Sequence, residues 1–225
     1  MMNAVVFDMD GVIFDSERLV TACWTQVAAK RGIPDMEAAC RDCLGIDAPG
    51  TKRIMMERYG EDFPYEVFQQ EASELFRMQT SGGKLPVKEG VREILPWLHE
   101  KGLKVALATS TREEIVRQEL KEAGLLSFFD QIICGDMVSN GKPAPDIYLR
   151  ACEAVGVRPE DAFAVEDSFN GIRAASRAGM HPIMVPDMVM PDEEIRGLAC
   201  VVLSSLIEAR KYIADSLKKE NSIGK

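Results

Sequence analysis

Apolar residues gather along this chain in short unbroken runs, each leading into a polar or glycine-containing segment. The runs are Ala4-Val5-Val6-Phe7, Val105-Ala106-Leu107-Ala108, Gln131-Ile132-Ile133-Cys134, Ala162-Phe163-Ala164-Val165 and Ile183-Met184-Val185. Continuous rather than alternating apolarity predicts strands buried on both faces, the condition of a parallel sheet covered by helices. Helical periodicity follows over Glu113 to Ala123 and Ile147 to Val155. Gly124 and Gly156 stand just beyond, where a left-handed cap favours glycine. Strand and helix in alternation predict the α/β class, with a Rossmann-like doubly wound parallel sheet.

One stretch breaks that rhythm. From Ser16 to Gly83 no strand run is visible, and helical patterns occupy Leu19 to Lys30, Glu37 to Leu44, Thr51 to Tyr59 and Tyr65 to Met78. The first strand precedes the stretch and the second follows it. The expected organisation is therefore an α/β core over 1–15 and 84–225, with an α-helical domain over 16–83 inserted into it. Ser81-Gly82-Gly83-Lys84 is expected to be the return linker, a flexible hinge.

Composition agrees with a folded chain. Apolar residues make up 46% of the 225 positions, the 28% that are charged are mixed in sign, and Gly and Pro are scattered, which excludes disordered and fibrous classes. Against 36 Asp and Glu there are 27 Lys and Arg, a net charge of −9 that repels polyanions, so nucleic acid is not an expected partner. No apolar stretch reaches membrane-spanning length. Six scattered cysteines and the lack of a secretory leader suggest reduced thiols in a cytoplasmic protein. Cys40 and Cys43 form a lone CxxC without the second pair or nearby histidines that a zinc site requires.

In an open α/β sheet, ligands bind beyond the carboxyl ends of the strands, so the residues after each apolar run carry the candidate chemistry. These are Asp8-Met9-Asp10-Gly11, Thr109-Ser110-Thr111-Arg112, Gly135-Asp136 followed by Lys142-Pro143, and Glu166-Asp167-Ser168. Carboxylates brought that close raise one another's pKa unless a cation holds them ionised, and an all-oxygen set suits Mg²⁺. Thr109, with the backbone N–H groups of Ser110 and Thr111 and the Lys142 ammonium, suits phosphate. A carboxylate such as Asp8 can then attack phosphorus, with Asp10 exchanging the proton. Each piece has an ordinary alternative: a D-x-D-G turn, a loop lysine, acids at a helix N-terminus. Their joint position at strand ends is what favours chemistry.

These residues resemble the motifs of the haloacid dehalogenase-like superfamily: Asp8-Met9-Asp10-Gly11-Val12, Thr109 ending a strand, Lys142-Pro143-Ala144-Pro145-Asp146, and Glu166-Asp167-Ser168 with Asn170-Gly171-Ile172 beyond. The resemblance spans essentially the whole chain, and the inserted segment is similar to the type-1 cap of the β-phosphoglucomutase and phosphoglycolate phosphatase group. It implies Asp8 as nucleophile and metal ligand, and Asp10 as general acid/base and ligand through its carbonyl. It further implies Thr109 and Lys142 as phosphate binders, beside the Ser110 N–H already named, and Asp167, assisted by Glu166, as metal-binding acids. Thr111 and Arg112 are candidates for the substrate side or equally a plain helix N-terminus, and Lys52 in the cap is a substrate candidate or an exposed helix charge.

The implied activity is Mg²⁺-dependent hydrolysis of a small phosphate ester through an aspartyl-phosphate, by a monomer or weak homodimer. A β-phosphoglucomutase is the alternative. Those mutases typically carry a histidine ten residues after the second aspartate, where this chain has Val20, and an arginine after the cap glycine, which Leu44-Gly45-Ile46-Asp47-Ala48-Pro49-Gly50 lacks. Dehalogenases need no metal, whereas this chain keeps the acids for one. A non-catalytic sugar-phosphate-binding protein is the alternative of another class.

Overall fold

The computed structural model describes residues 2–43 and 48–223. The chain divides into two compact units, Met1–Phe14 with Val87–Lys225, and Asp15–Pro86.

The first unit opens with β1 (Ala4–Phe7). The second unit holds α1 (Ser16–Arg31), α2 (Met36–Cys43), α3 (Ala48–Tyr59) and α4 (Tyr65–Thr80). The first unit resumes with α5 (Val91–Glu100), β2 (Lys104–Thr109), α6 (Glu113–Glu122), β3 (Gln131–Cys134) and α7 (Asp146–Val155). It continues through β4 (Ala162–Glu166), α8 (Phe169–Arg177), β5 (His181–Met184), α9 (Glu193–Leu198), β6 (Val201–Val202) and α10 (Leu206–Ile223).

All neighbouring strands pair parallel, in the order β3-β2-β1-β4-β5-β6. The order reverses between β1 and β4, which is the switch point where a doubly wound sheet leaves a crevice at its carboxyl edge. Strand alternation sends Ala4, Val6, Ala106, Ala108, Ala162 and Ala164 into one core cluster with Ile147, Tyr148 and Ala151 of α7. Small residues on the strands leave room for the Tyr148 ring, which is wholly buried. Gly156 closes α7 with φ +70°, its N–H reaching the Cys152 and Glu153 carbonyls.

The helical unit has its own core. Val27, Met36, Ala39, Met55, Phe68 and Ala72 are buried together, and the Trp24 ring meets Phe68 edge-on at 5.3 Å and Tyr65 at 6.5 Å. Trp24 thus sits in the packed helical face that its apolar character favours. Gly82 and Gly83 take positive φ in the turn after α4, and the boundary between units falls a few residues later, at Pro86 and Val87. Beside that boundary Lys88 N–H donates to the Ile13 carbonyl at 2.9 Å, and the Lys88 ammonium pairs with the nearly buried Asp187 carboxylate at 2.6 Å. The cap residues Leu44 to Asp47 lie outside the described residues. No described helix is long and apolar enough to cross a membrane.

Candidate active site

Register places the site. Phe7 lies level with Leu107 on one side and Val165 on the other, so Asp8, the first residue beyond β1, comes to the height of Ala108 and Glu166 near the ends of β2 and β4, across the switch point. Asp8 N–H continues the ladder to the Val165 carbonyl at 3.0 Å, which fixes the start of the turn. Lys142 arrives from the segment before α7, and its side chain is only 7% exposed.

The Lys142 ammonium donates to Asp8 Oδ1 at 2.7 Å, Glu166 Oε1 at 2.6 Å and the Ala108 carbonyl at 3.0 Å. Three N–H groups are all that an ammonium has, so its direction is determined. Glu166 is wholly buried and equally engaged. Its Oε1 also accepts from the Tyr148 hydroxyl at 2.8 Å. Its Oε2 accepts from the N–H groups of Asp167 and Ser168, both at 3.1 Å, and from Ser168 Oγ at 3.0 Å. Ser168 Oγ in turn accepts from Gly171 N–H at 3.0 Å and caps α8.

The electrostatics follow from this crowding. Burial pushes the Asp8 carboxyl up to about 8; Lys142 opposes the rise, while Glu166 and Asp10 add to it. Burial alone would lower Lys142, but Asp8 and Glu166 more than offset it and hold the ammonium charged. Burial, reinforced by Glu166, keeps the Tyr148 hydroxyl well above the phenol range, so it remains a donor.

Asp10 projects elsewhere, its Oδ2 accepting from Thr111 Oγ1 at 2.8 Å. Thr111 N–H donates to the buried Thr109 Oγ1 at 3.1 Å, tying the turn before α6. Ser110 and Arg112 are exposed there, and Arg112 stands at the N-cap position of α6. Glu119 of α6 belongs to the same surroundings: burial first, then Asp10 and Glu122, push its carboxyl up to about 7. Lys52 lies on α3 of the helical unit, where the Glu66 carboxylate engages its ammonium. Cys43 is half-buried against the helical core.

A family described as haloacid dehalogenase-like hydrolase matches residues 5–185. The chain belongs to that family. Its relatives include the phosphorylated carbohydrates phosphatase of Thermotoga maritima, 37% identical over 81% of this chain and 84% of that protein. The solved structure of CbbY from Rhodobacter sphaeroides in complex with phosphate is 28% identical, covers 92% of this chain and 95% of its own, and superimposes with a TM-score of 0.73. β-Phosphoglucomutase from Clostridium difficile shares the fold, with a TM-score of 0.77 over 99% of this chain and 100% of its own, at 22% identity.

Two glycines of this haloacid dehalogenase-like chain make space for its acids. A Cβ on Gly11, whose φ is +74°, would stand 2.0 Å from Asp167 Oδ2, and one on Gly171 would stand 1.7 Å from Glu166 Oε1. A side chain at either position would push the facing carboxylate out of place, and at Gly11 it would also meet a backbone conformation that L side chains rarely adopt. Among the described residues, Asp8, Glu166 and Asp167 offer carboxylate oxygens within 4.8 Å of one another. Hard oxygen donors, a cradle kept open by Gly11 and an Asp8 carboxyl that burial first, and then Glu166 and Asp10, push upward all suit a divalent cation such as Mg²⁺. Sequence reasoning did not single out Tyr148 or Glu119. An aromatic residue inside α7 and an acid on α6 carry no signal until the fold shows what they face.

Proposed function

We propose that this protein is a Mg²⁺-dependent phosphatase of small phosphorylated metabolites, phosphorylated carbohydrates being the favoured class. The observation that carries the reading is the buried Asp8–Lys142–Glu166 arrangement beside the Asp167 carboxylate, at the switch point of a haloacid dehalogenase-like fold. A lone carboxylate repels a phosphate dianion. Here an ammonium lies 2.7 Å from Asp8 Oδ1 and an acidic cluster suited to a cation lies beside it, so the incoming charge would be balanced.

In this reading Asp8 attacks phosphorus in line, the P–O bond to the leaving alcohol breaks, and Asp10 gives that oxygen its proton. Asp10 then takes a proton from the water that cleaves the aspartyl-phosphate, restoring Asp8. Thr109, Ser110 and Lys142 bind the phosphoryl oxygens. Mg²⁺, when bound, neutralises carboxylate and phosphoryl charge; Asp8, Asp167 and the Asp10 carbonyl would hold it. Glu166 is the less suited ligand, because its two oxygens already accept five hydrogen bonds. We assign substrate choice to the inserted helical unit. Val20, at the place of the mutase histidine, favours water over a second sugar hydroxyl as acceptor.

The test is phosphate release from a panel of hexose, pentose, glycolate and nucleotide monophosphates, with Mg²⁺ and with EDTA. Mg²⁺-dependent release from sugar phosphates is expected. Conversion of β-glucose 1-phosphate to glucose 6-phosphate without free phosphate would make it a mutase, and neither release nor transfer from any ester would make it a binding protein.

A further inference from the structure

Lys142 is drawn by two carboxylates at once. Glu166 Oε1, at 2.6 Å, is the nearer and the more deeply buried, and Asp8 Oδ1 is at 2.7 Å. An ammonium shared by two acceptors is drawn more strongly to the one with a lone pair left unfilled by other donors, because that oxygen keeps more of its charge unneutralised. The Tyr148 hydroxyl fills that lone pair on Glu166 Oε1 at 2.8 Å, and the Tyr148 ring lies beneath the ammonium, its centroid 5.1 Å from Nζ. The same side chain thus limits what Glu166 can take from Lys142 and gives the ammonium a floor. Tyr148 is itself immobilised by the alanine-lined face of the sheet.

We infer that Tyr148 is a positioning residue of this site: its hydroxyl occupies Glu166 Oε1 and its ring supports Lys142, so that the ammonium stays shared with Asp8. Its catalytic consequence rests on the phosphatase reading above; the placement of Lys142 does not. A purely structural tyrosine would affect stability alone. A positioning tyrosine affects where the ammonium sits and how fast the phosphoryl group moves.

Tyr148→Phe keeps the ring and removes one oxygen, so the fold is expected to survive. In a crystal structure of this variant, the separation of Lys142 Nζ from Asp8 Oδ1 should open from 2.7 Å to beyond hydrogen-bond range as the ammonium moves toward Glu166. With the ester selected by the panel, kcat should fall about tenfold to a hundredfold while KM changes little, in the manner of residues that orient a reactive group through a neighbour. In a Glu166→Gln background the further change to Phe should cost much less, because the group it acts through has gone. An unmoved Lys142 in Tyr148→Phe overturns the inference, as does a variant with lowered Tm but unchanged kcat. If the wild type turns over no ester, the phosphatase reading fails, and the position of Lys142 in the variant structure still decides the role of Tyr148.

Discussion

At the scale of single residues, the site is governed by one cation among several carboxylates. Lys142 serves Asp8, Glu166 and the Ala108 carbonyl simultaneously, so its loss leaves two nearly buried carboxylates without their partner. Removing one member of a buried pair costs about 3–5 kcal/mol, far more than an exposed pair contributes. Lys142→Met should therefore lower unfolding stability in urea by about that amount, as well as ending turnover. Arg117→Ala, which breaks an exposed pair with Glu113, should change stability by less than about 1 kcal/mol. Such contrasts were only partly legible in the sequence. Asp8, Asp10, Lys142, Glu166 and Asp167 announced themselves by following apolar runs, whereas Tyr148 looks like any core aromatic. The glycines at 11 and 171 were visible, but not the carboxylate oxygens that require them.

At the scale of elements, α6 brings a different acid into play. Glu119 titrates at about 7 in the folded chain against an ordinary value of 4.5, chiefly because it is buried, and secondarily because Asp10 and Glu122 face it. A raised carboxyl favours the folded state in its protonated form. Its contribution is complete below about pH 4.5 and lost as pH rises through about 7. Glu119→Gln cannot ionise, so its Tm should exceed that of the wild type at pH 8 and approach it at pH 4. Thermal unfolding at the two pH values checks this; equal Tm differences at both would count against it. The strand and helix pattern itself was readable because parallel strands buried on both faces leave unbroken apolar runs. β6, only Val201 and Val202, is too short to leave one. The Ser81 to Lys84 turn carries the glycines expected of a hinge, yet the boundary between units follows it, where main-chain pairing beside Val87 begins.

At the scale of the whole molecule, stability and function should be linked through the cation. A ligand that binds only the folded state adds RT ln(1 + [L]/Kd), about 2.7 kcal/mol at a hundred times Kd. Mg²⁺ should therefore raise Tm by several degrees, EDTA should reverse the rise, and Asp167→Asn should abolish it. The six cysteines are free thiols, so a reductant should leave Tm unchanged. The role proposed for Asp8 is to carry the phosphoryl group. It is tested most directly by mixing the enzyme with Mg²⁺ and a phosphorylated carbohydrate that it hydrolyses, quenching in acid within a turnover, and mapping the protein by mass spectrometry. A hydroxylamine-labile phosphoryl group is expected on Asp8 and none in Asp8→Asn, which should also lose turnover by roughly 10⁴-fold or more. Turnover by Asp8→Asn at a comparable rate, or a phosphoryl group found on another residue, would contradict it.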